Sequence, residues 1–326
     1  MSPSPRQLIE LAVDRVAGTE FDRALARGRR DPRGGFLFFW NRGLGDVVLA
    51  LEPLFAIVRE KVPAARITVV TRPELEEAFR MTDADDVRVI PGLTRSAHAS
   101  PADLLEPFKF EKNQFCAVFA KTDPTRWLRG RRHLYPVCLR WLPQWDARAA
   151  NFVPADDAAL FVGVHIQSET QAIYRYVKDW PLEAWHDLVD RFDESDRVRW
   201  LLFGQQPVPP FEHRAVVDLR GRTGFIDMMS IIRNRCRVLI GPDSGVLNTA
   251  YYLDAAFPID VISLWSDPRH GILAQRRASP NPQLVHRPLL GRDEDVRNIG
   301  VDEVERELRA AIAAARQDHR RVSPFP

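Results

Sequence analysis

Three short stretches of this sequence carry residue types whose spacing could do chemistry. Gly43-Leu44-Gly45-Asp46 follows the apolar run Phe36–Trp40 and opens a helical pattern. Glycines there let a backbone approach a ligand closely, and a helix N-terminus presents N–H groups that lack partners in the helix. The third glycine of a dinucleotide fingerprint would stand at position 48, which is Val48, and Asp46 lies where a pyrophosphate would repel it. Asp46 is therefore either an N-terminal cap or a catalytic base. Gly241-Pro242-Asp243-Ser244-Gly245 follows a second apolar run and opens a helix at Val246. The N–H groups of Ser244, Gly245 and Val246, with the helix dipole, suit a diphosphate; an ordinary capped turn is the alternative. It is not a G-x-S-x-G elbow, and no Ser/His/Asp set assembles around it. Lys178 in Lys178-Asp179-Trp180-Pro181 gains meaning only if it shares a cleft with that anion site, since a lone lysine is ordinarily a solvated charge.

These residues need elements to position them. Phe36–Trp40 has no alternation, which predicts a strand buried on both faces, as in a parallel sheet. Further strands are predicted at 66–71, 87–90 and 115–120, with helices over 47–61 and 74–81 between them. Residues 6–30 read as one charged amphipathic helix ahead of the body, an appendage occupying 1–34. After a polar linker beginning at Asn151 the alternation repeats. Strands are expected at 161–166, 199–203, 216–219, 238–240 and 261–264, helices at 182–192, 224–233 and 245–253, and a last amphipathic helix at 301–315. The chain thus reads as α/β, with two doubly wound domains over 35–150 and 151–300 and a ligand cleft between them at the carboxyl ends of the strands.

Composition narrows the classes without choosing one. In 326 residues, 46 Lys+Arg against 44 Asp+Glu leave a net charge of +2, which argues against a dedicated nucleic-acid binder. Three cysteines without CxxC spacing read as reduced thiols of a cytoplasmic protein. No run approaches the ~18 apolar residues that span a bilayer, and the N-terminus lacks a signal-peptide core. Any basic surface must be local. Arg126, Arg129, Arg131, Arg132 and Arg140 occur with no acidic residue between them, interleaved with Trp127, Tyr135 and Trp141. That stretch suits an anionic ligand or the headgroups of a membrane; a solvated basic loop is the alternative.

Taken in order, the blocks resemble family 9 glycosyltransferases, the bacterial ADP-heptose:lipopolysaccharide heptosyltransferases. The resemblance rests on Arg42–Leu54, Gly163-Val164-His165, Lys178–Pro181, Asp218–Thr223, Ile240–Ala250 and Trp265–Pro268, and covers roughly residues 35–310. It implies a GT-B fold of two Rossmann-like domains facing an interdomain cleft, with the 301–326 helix and tail returning toward the first domain. It also implies inverting sugar transfer without a metal or other cofactor. Asp46 would be the general base; Ser168, Lys178, Asp243, Ser244, Gly245 and Asn248 would bind a nucleotide-sugar donor. Gly43, Gly45, Arg126, Arg129, Arg131 and Arg132 would lie on the acceptor side, facing an anionic glycan or glycolipid such as the lipopolysaccharide inner core. Such an enzyme works in the cytoplasm, in peripheral contact with the inner membrane.

The sequence departs from the family pattern at Asn248, which replaces a histidine, and at His165-Ile166-Gln167-Ser168, which lacks a glycine. Gly204-Gln205-Gln206 also lacks the acidic residue expected nearby. Two other classes follow: a GT-B-like protein that binds nucleotide sugars without turning them over, and an NADP-dependent oxidoreductase with Arg72 holding the 2′-phosphate. The missing third glycine counts against the second.

Overall fold

The computed structural model describes residues 14, 16–31, 34–156, 158–168 and 176–322, so residues 6–13 and 15 of the helix expected over 6–30 lie outside the described residues. The chain divides into two compact units, Met1–Leu139 and Arg140–Pro326, earlier than the linker at residue 151 suggested. The reason is packing. The 3-10 segment Pro143–Asn151 lies on the helix Phe225–Arg235: Ala149 N–H donates to Ser230 Oγ (3.0 Å), and Arg148 and Arg233 pair with Asp227 and Asp146.

The first unit is built on four parallel strands: β1 (Gly35–Trp40), β2 (Ile67–Thr71), β3 (Asp86–Val89) and β4 (Phe115–Phe119), in the order β3-β2-β1-β4. Every residue of β1 and β2 is buried, as unalternating apolar runs require. Strand winding reverses between β1 and β4, so their carboxyl ends open a crevice of the kind in which doubly wound sheets hold ligands.

The helix after β1 is not regular. It begins at Leu44, is wound as a π segment over Val47–Leu51, and resumes as an α-helix over Glu52–Lys61. Pro53 explains the change of winding, because it has no N–H to give the carbonyl four residues back. Glu52 N–H instead reaches five residues back to Val47 O.

The N-terminal helix is a correction. It starts at Glu20, after a Thr19/Asp22 capping box, and continues past Gly28 to Arg30. It is not an appendage. Phe21 is fully buried, stacked on Trp127 (5.4 Å between ring centres) and touching Phe38 and Phe119.

The second unit holds six parallel strands: β5 (Leu160–His165), β6 (Val198–Phe203), β7 (Val216–Asp218), β8 (Cys236–Pro242), β9 (Ile259–Trp265) and β10 (Leu284–Leu290). Their order is β10-β9-β8-β5-β6-β7, the six-strand Rossmann order, with the winding reversal between β5 and β8. β10 has no counterpart in the sequence reading, because Pro288 and two charge-capable residues break its pattern. As an edge strand it tolerates the proline.

One face of this sheet is covered by Trp185 and Leu188 of the helix Leu182–Asp190 and by Val304, Leu308, Ala311 and Ile312 of the helix Val301–Val322. This last helix begins at Val301, where the sequence placed it. Its apolar stripe is used on the second unit's own core, and Arg191 clamps it through Asp302 (2.5 Å) and Glu305 (2.8 Å).

Phe21→Ala removes a side chain with aromatic neighbours on three sides. It is expected to cost about 3–5 kcal/mol, read from denaturant unfolding. A cost below about 1 kcal/mol would return the N-terminal helix to the status of an appendage.

Candidate functional site

In the first unit, β1 ends at Trp40 and delivers Asn41, whose Nδ2 donates to the carbonyls of Thr94 (3.0 Å) and Ala97 (2.9 Å), fastening the following loop at the carboxyl edge. Gly43 has ordinary extended backbone, and the Arg95 guanidinium and Asp46 carboxylate both flank it. Asp46 is exposed in the first helical turn beside Gly45, and no side-chain capping bond forms there. The helix-cap alternative therefore falls, and the carboxylate is presented at the crevice end of the sheet.

The arginine stretch follows β4, at that same carboxyl edge, but two of its members are engaged within the unit. Arg126 grips Asp14 through two bonds of 2.6 and 2.7 Å, and Arg131 bonds Asp22 at 2.7 Å. The Arg126 bonds hold the Asp14 carboxyl below its usual range. Arg129 is exposed, and the side chain of Arg132 lies outside the described residues. Trp127 and Trp141 are buried, so neither is offered to a membrane. Arg72, the alternative phosphate ligand, is buried and bonded to Glu74 at 3.1 Å, a carboxylate that a 2′-phosphate would have to displace. Val48, in the third-glycine position, is buried in the π segment.

In the second unit the predicted donor residues meet at the winding reversal. Lys178 Nζ donates to Asp243 Oδ2 (2.7 Å) and approaches Asp243 O (3.3 Å), with 15% and 7% of the two side chains exposed. Ser168 N–H donates to Asp179 Oδ1 (2.7 Å), which fixes the end of the chain leaving β5. Ser244 caps the helix Gly245–Tyr251 by accepting from Leu247 N–H (3.2 Å), which leaves its O–H as a donor. That helix has seven residues, so its dipole is weak and Lys178 must supply most of the charge for an anion.

Two polar atoms at this edge are buried without a hydrogen-bond partner: His165 Nδ1, at the end of β5, and Asn248 Oδ1, in the helix after β8. Unpartnered buried polar atoms are uncommon and call for an explanation such as a missing ligand or water.

Further contacts join this edge: Ser266 and Asp267 belong to the Trp265–Pro268 block of the resemblance, whereas Tyr176, Val177, Arg269 and Gly271 were not singled out in the sequence. The phenol oxygen of Tyr176 accepts from Asp267 N–H (3.0 Å), Ser266 Oγ donates to Val177 O (2.5 Å), and Arg269 holds Asp267 through a two-pronged contact. The loop after β9 is thereby stitched to the segment carrying Lys178. Gly271 has φ +51°, and a Cβ there would strike the Trp265 ring and come 2.5 Å from Asp243 Oδ1. The contacts of Tyr176 and Val177 with the loop after β9 have no sequence signature, because they join segments about 90 residues apart. Among the described residues no group of three or more His, Cys, Asp or Glu is placed to hold a metal ion, and no helix is long and apolar enough to cross a membrane.

No protein-family model matches the chain, and no curated protein matches it in sequence. Solved structures do. The chain superposes on a family 9 glycosyl transferase from Veillonella parvula with a TM-score of 0.59 at 16% identity, over 86% of this chain and 98% of that one. It superposes on the E. coli ADP-heptose lps heptosyltransferase II with a TM-score of 0.60 at 13% identity, over 86% and 99%. The chain has the GT-B fold. In GT-B terms each unit is one Rossmann-like domain, and the identities are low enough that the likeness speaks for the fold alone.

Two titrations of opposite sign meet at this edge. Burial lowers the His165 pKa to about 4 and raises the Asp179 pKa to about 6. Below pH 6.5 the unfolded chain protonates His165 more readily than the folded one, so stability is lost as pH falls toward 4. For Asp179 the folded state binds the proton more readily, so stability is gained as pH falls from 6 toward 3.8. Asp179→Asn is expected to steepen the acid loss of thermal midpoint between pH 6.5 and 4, and His165→Gln to flatten it. Equal pH slopes in all three proteins would refute the assignment.

Proposed function

We propose that the chain is a metal-independent inverting glycosyltransferase that moves a sugar from a nucleoside-diphosphate donor to a glycan or glycolipid hydroxyl. The observation that carries this is the carboxyl edge of the second unit: a Lys178–Asp243 pair beside two buried polar atoms without partners, in a fold shared with glycosyltransferases. The donor's diphosphate lies on Lys178 and the backbone of Ser244 and Gly245, with Ser168, Asp243 and Asn248 contributing polar contacts. Lys178 offsets the negative charge that grows on the diphosphate as it leaves.

Asp46 takes the proton from the acceptor hydroxyl as that oxygen attacks the anomeric carbon. The bond from the anomeric carbon to the diphosphate oxygen breaks, the nucleoside diphosphate departs, and the configuration inverts. An exposed carboxylate such as Asp46 becomes an effective base when bound substrate excludes water from it. Gly43 and Gly45 leave room for the acceptor at the crevice edge. Of the arginines expected on the acceptor side, Arg129 is exposed and suited to an anionic acceptor, whereas Arg126 and Arg131 are held by Asp14 and Asp22. A heptose carried on ADP is the sugar favoured here, by likeness to the E. coli ADP-heptose lps heptosyltransferase II, with a lipopolysaccharide inner core as acceptor.

Thermal shift with ADP, UDP, GDP and NADPH tests the donor class. A nucleoside diphosphate is expected to raise the thermal midpoint and NADPH to leave it unchanged; the reverse pattern would establish the oxidoreductase. Asp46→Asn is expected to lower sugar transfer by at least about 100-fold while nucleotide affinity stays within about twofold. Undiminished transfer in the variant would remove Asp46 from the chemistry. Nucleotide-sugar binding without turnover by the wild-type protein would favour a binding protein on the same fold.

A further inference from the structure

Lys178 does not stand over Asp243 unaided. Its ammonium also lies 5.3 Å from the centre of the Tyr176 ring, within the range over which an aromatic face attracts a cation. The ring is held from two sides. Its hydroxyl oxygen accepts the Asp267 N–H at 3.0 Å, and the His270 ring packs against it at 4.6 Å. Asp267 is in turn fixed by Arg269, and Val177 O receives Ser266 Oγ–H. Tyr176 is thus anchored by the loop after β9 while facing a lysine two residues ahead of it in the chain.

A four-carbon side chain has several rotamers, and an ammonium that must exchange a carboxylate for an incoming phosphate passes through a stage where neither holds it fully. The ring face supplies an attraction that needs no precise geometry and does not compete with either anion. The Asp243 carboxylate packs against Gly271, lying 2.5 Å from where a Cβ would stand, and the Lys178 side chain is the more exposed of the two, at 15% against 7%.

We propose that Tyr176 is a positioning residue for nucleotide binding: its ring holds the Lys178 ammonium at the mouth of the second unit's crevice, ready for a diphosphate. This rests on the reading of Lys178 as the diphosphate-binding group. His270 and Asp267 act on the ligand only through Tyr176, by fixing its plane and its hydroxyl.

The test is a double-mutant cycle on nucleotide affinity, measured by calorimetry with ADP, UDP and GDP on the full chain. Tyr176→Leu is expected to weaken binding of the tightest of the three about tenfold. Tyr176→Phe, which keeps the ring, is expected to restore affinity to within about twofold of wild type. In a Lys178→Gln background, where the amide still bonds Asp243, Tyr176→Leu is expected to change affinity by less than about twofold. Tyr176→Met serves in place of Tyr176→Leu if the latter does not fold. A full tenfold loss persisting in the Lys178→Gln background, or no loss in the single variant, overturns the positioning role while leaving the nucleotide site intact. Failure of the wild-type protein to bind any of the three diphosphates overturns the functional reading, and this inference with it.

Discussion

The ion pair between Lys178 and Asp243 is the contact around which the second unit's functional edge is arranged. Moving both charges out of water costs free energy that their attraction recovers only when geometry and further hydrogen bonds are favourable. Here the pair sits with one charge at 15% and the other at 7% exposure, and two separate segments are shaped around it. The chain leaving β5 is fixed by Asp179 on Ser168. The loop after β9 is tied to Tyr176 and Val177, and Gly271 supplies the left-handed turn that leaves space for the Asp243 carboxylate. Apolar side chains of similar volume could fill such a place with no loss of stability. On the proposed function, these charges and the buried polar atoms of His165 and Asn248 would meet a polar ligand.

The two units use one construction principle for different chemistry. Each is a parallel sheet whose winding reverses once, and each carries its candidate residues at the carboxyl ends of the strands flanking that reversal. The first unit presents an exposed carboxylate, Asp46, on a helix whose regular winding is interrupted just beyond it. The second presents a lysine held close to a buried aspartate. A base and an anion-binding group are the two kinds of side chain that transfer of a group from a diphosphate to a hydroxyl demands.

The buried strands were legible in the sequence because a parallel strand covered on both faces must be apolar at consecutive positions, as Phe36–Trp40 and Val238–Ile240 are. The edge strand Leu284–Leu290 escaped notice because an edge relaxes that demand and admits Pro288. Asp46 and Asp243 could be singled out because each follows a strand and stands beside glycine or proline, and Lys178 through its place in Lys178-Asp179-Trp180-Pro181. The arginine stretch misled for a physical reason: absence of acidic neighbours in sequence says nothing about partners such as Asp14 and Asp22, more than 100 residues away. The helix read over residues 6–30 as an appendage misled likewise, since a charged helix can still anchor one aromatic side, that of Phe21, in a core. Tyr176 and Gly271 matter only through contacts made in the fold, of which a single sequence carries no record, whereas Asp267 was legible as part of the Trp265–Pro268 block.

The central claim is that a diphosphate binds at the carboxyl edge of the second unit, on Lys178 and the turn after β8. A crystal structure of the protein with ADP, UDP or GDP bound tests it most directly. The account predicts the β-phosphate within hydrogen-bond distance of Lys178 Nζ and of the backbone at Ser244 or Gly245. A nucleotide whose phosphates instead rest on the Gly43–Asp46 turn of the first unit would contradict it.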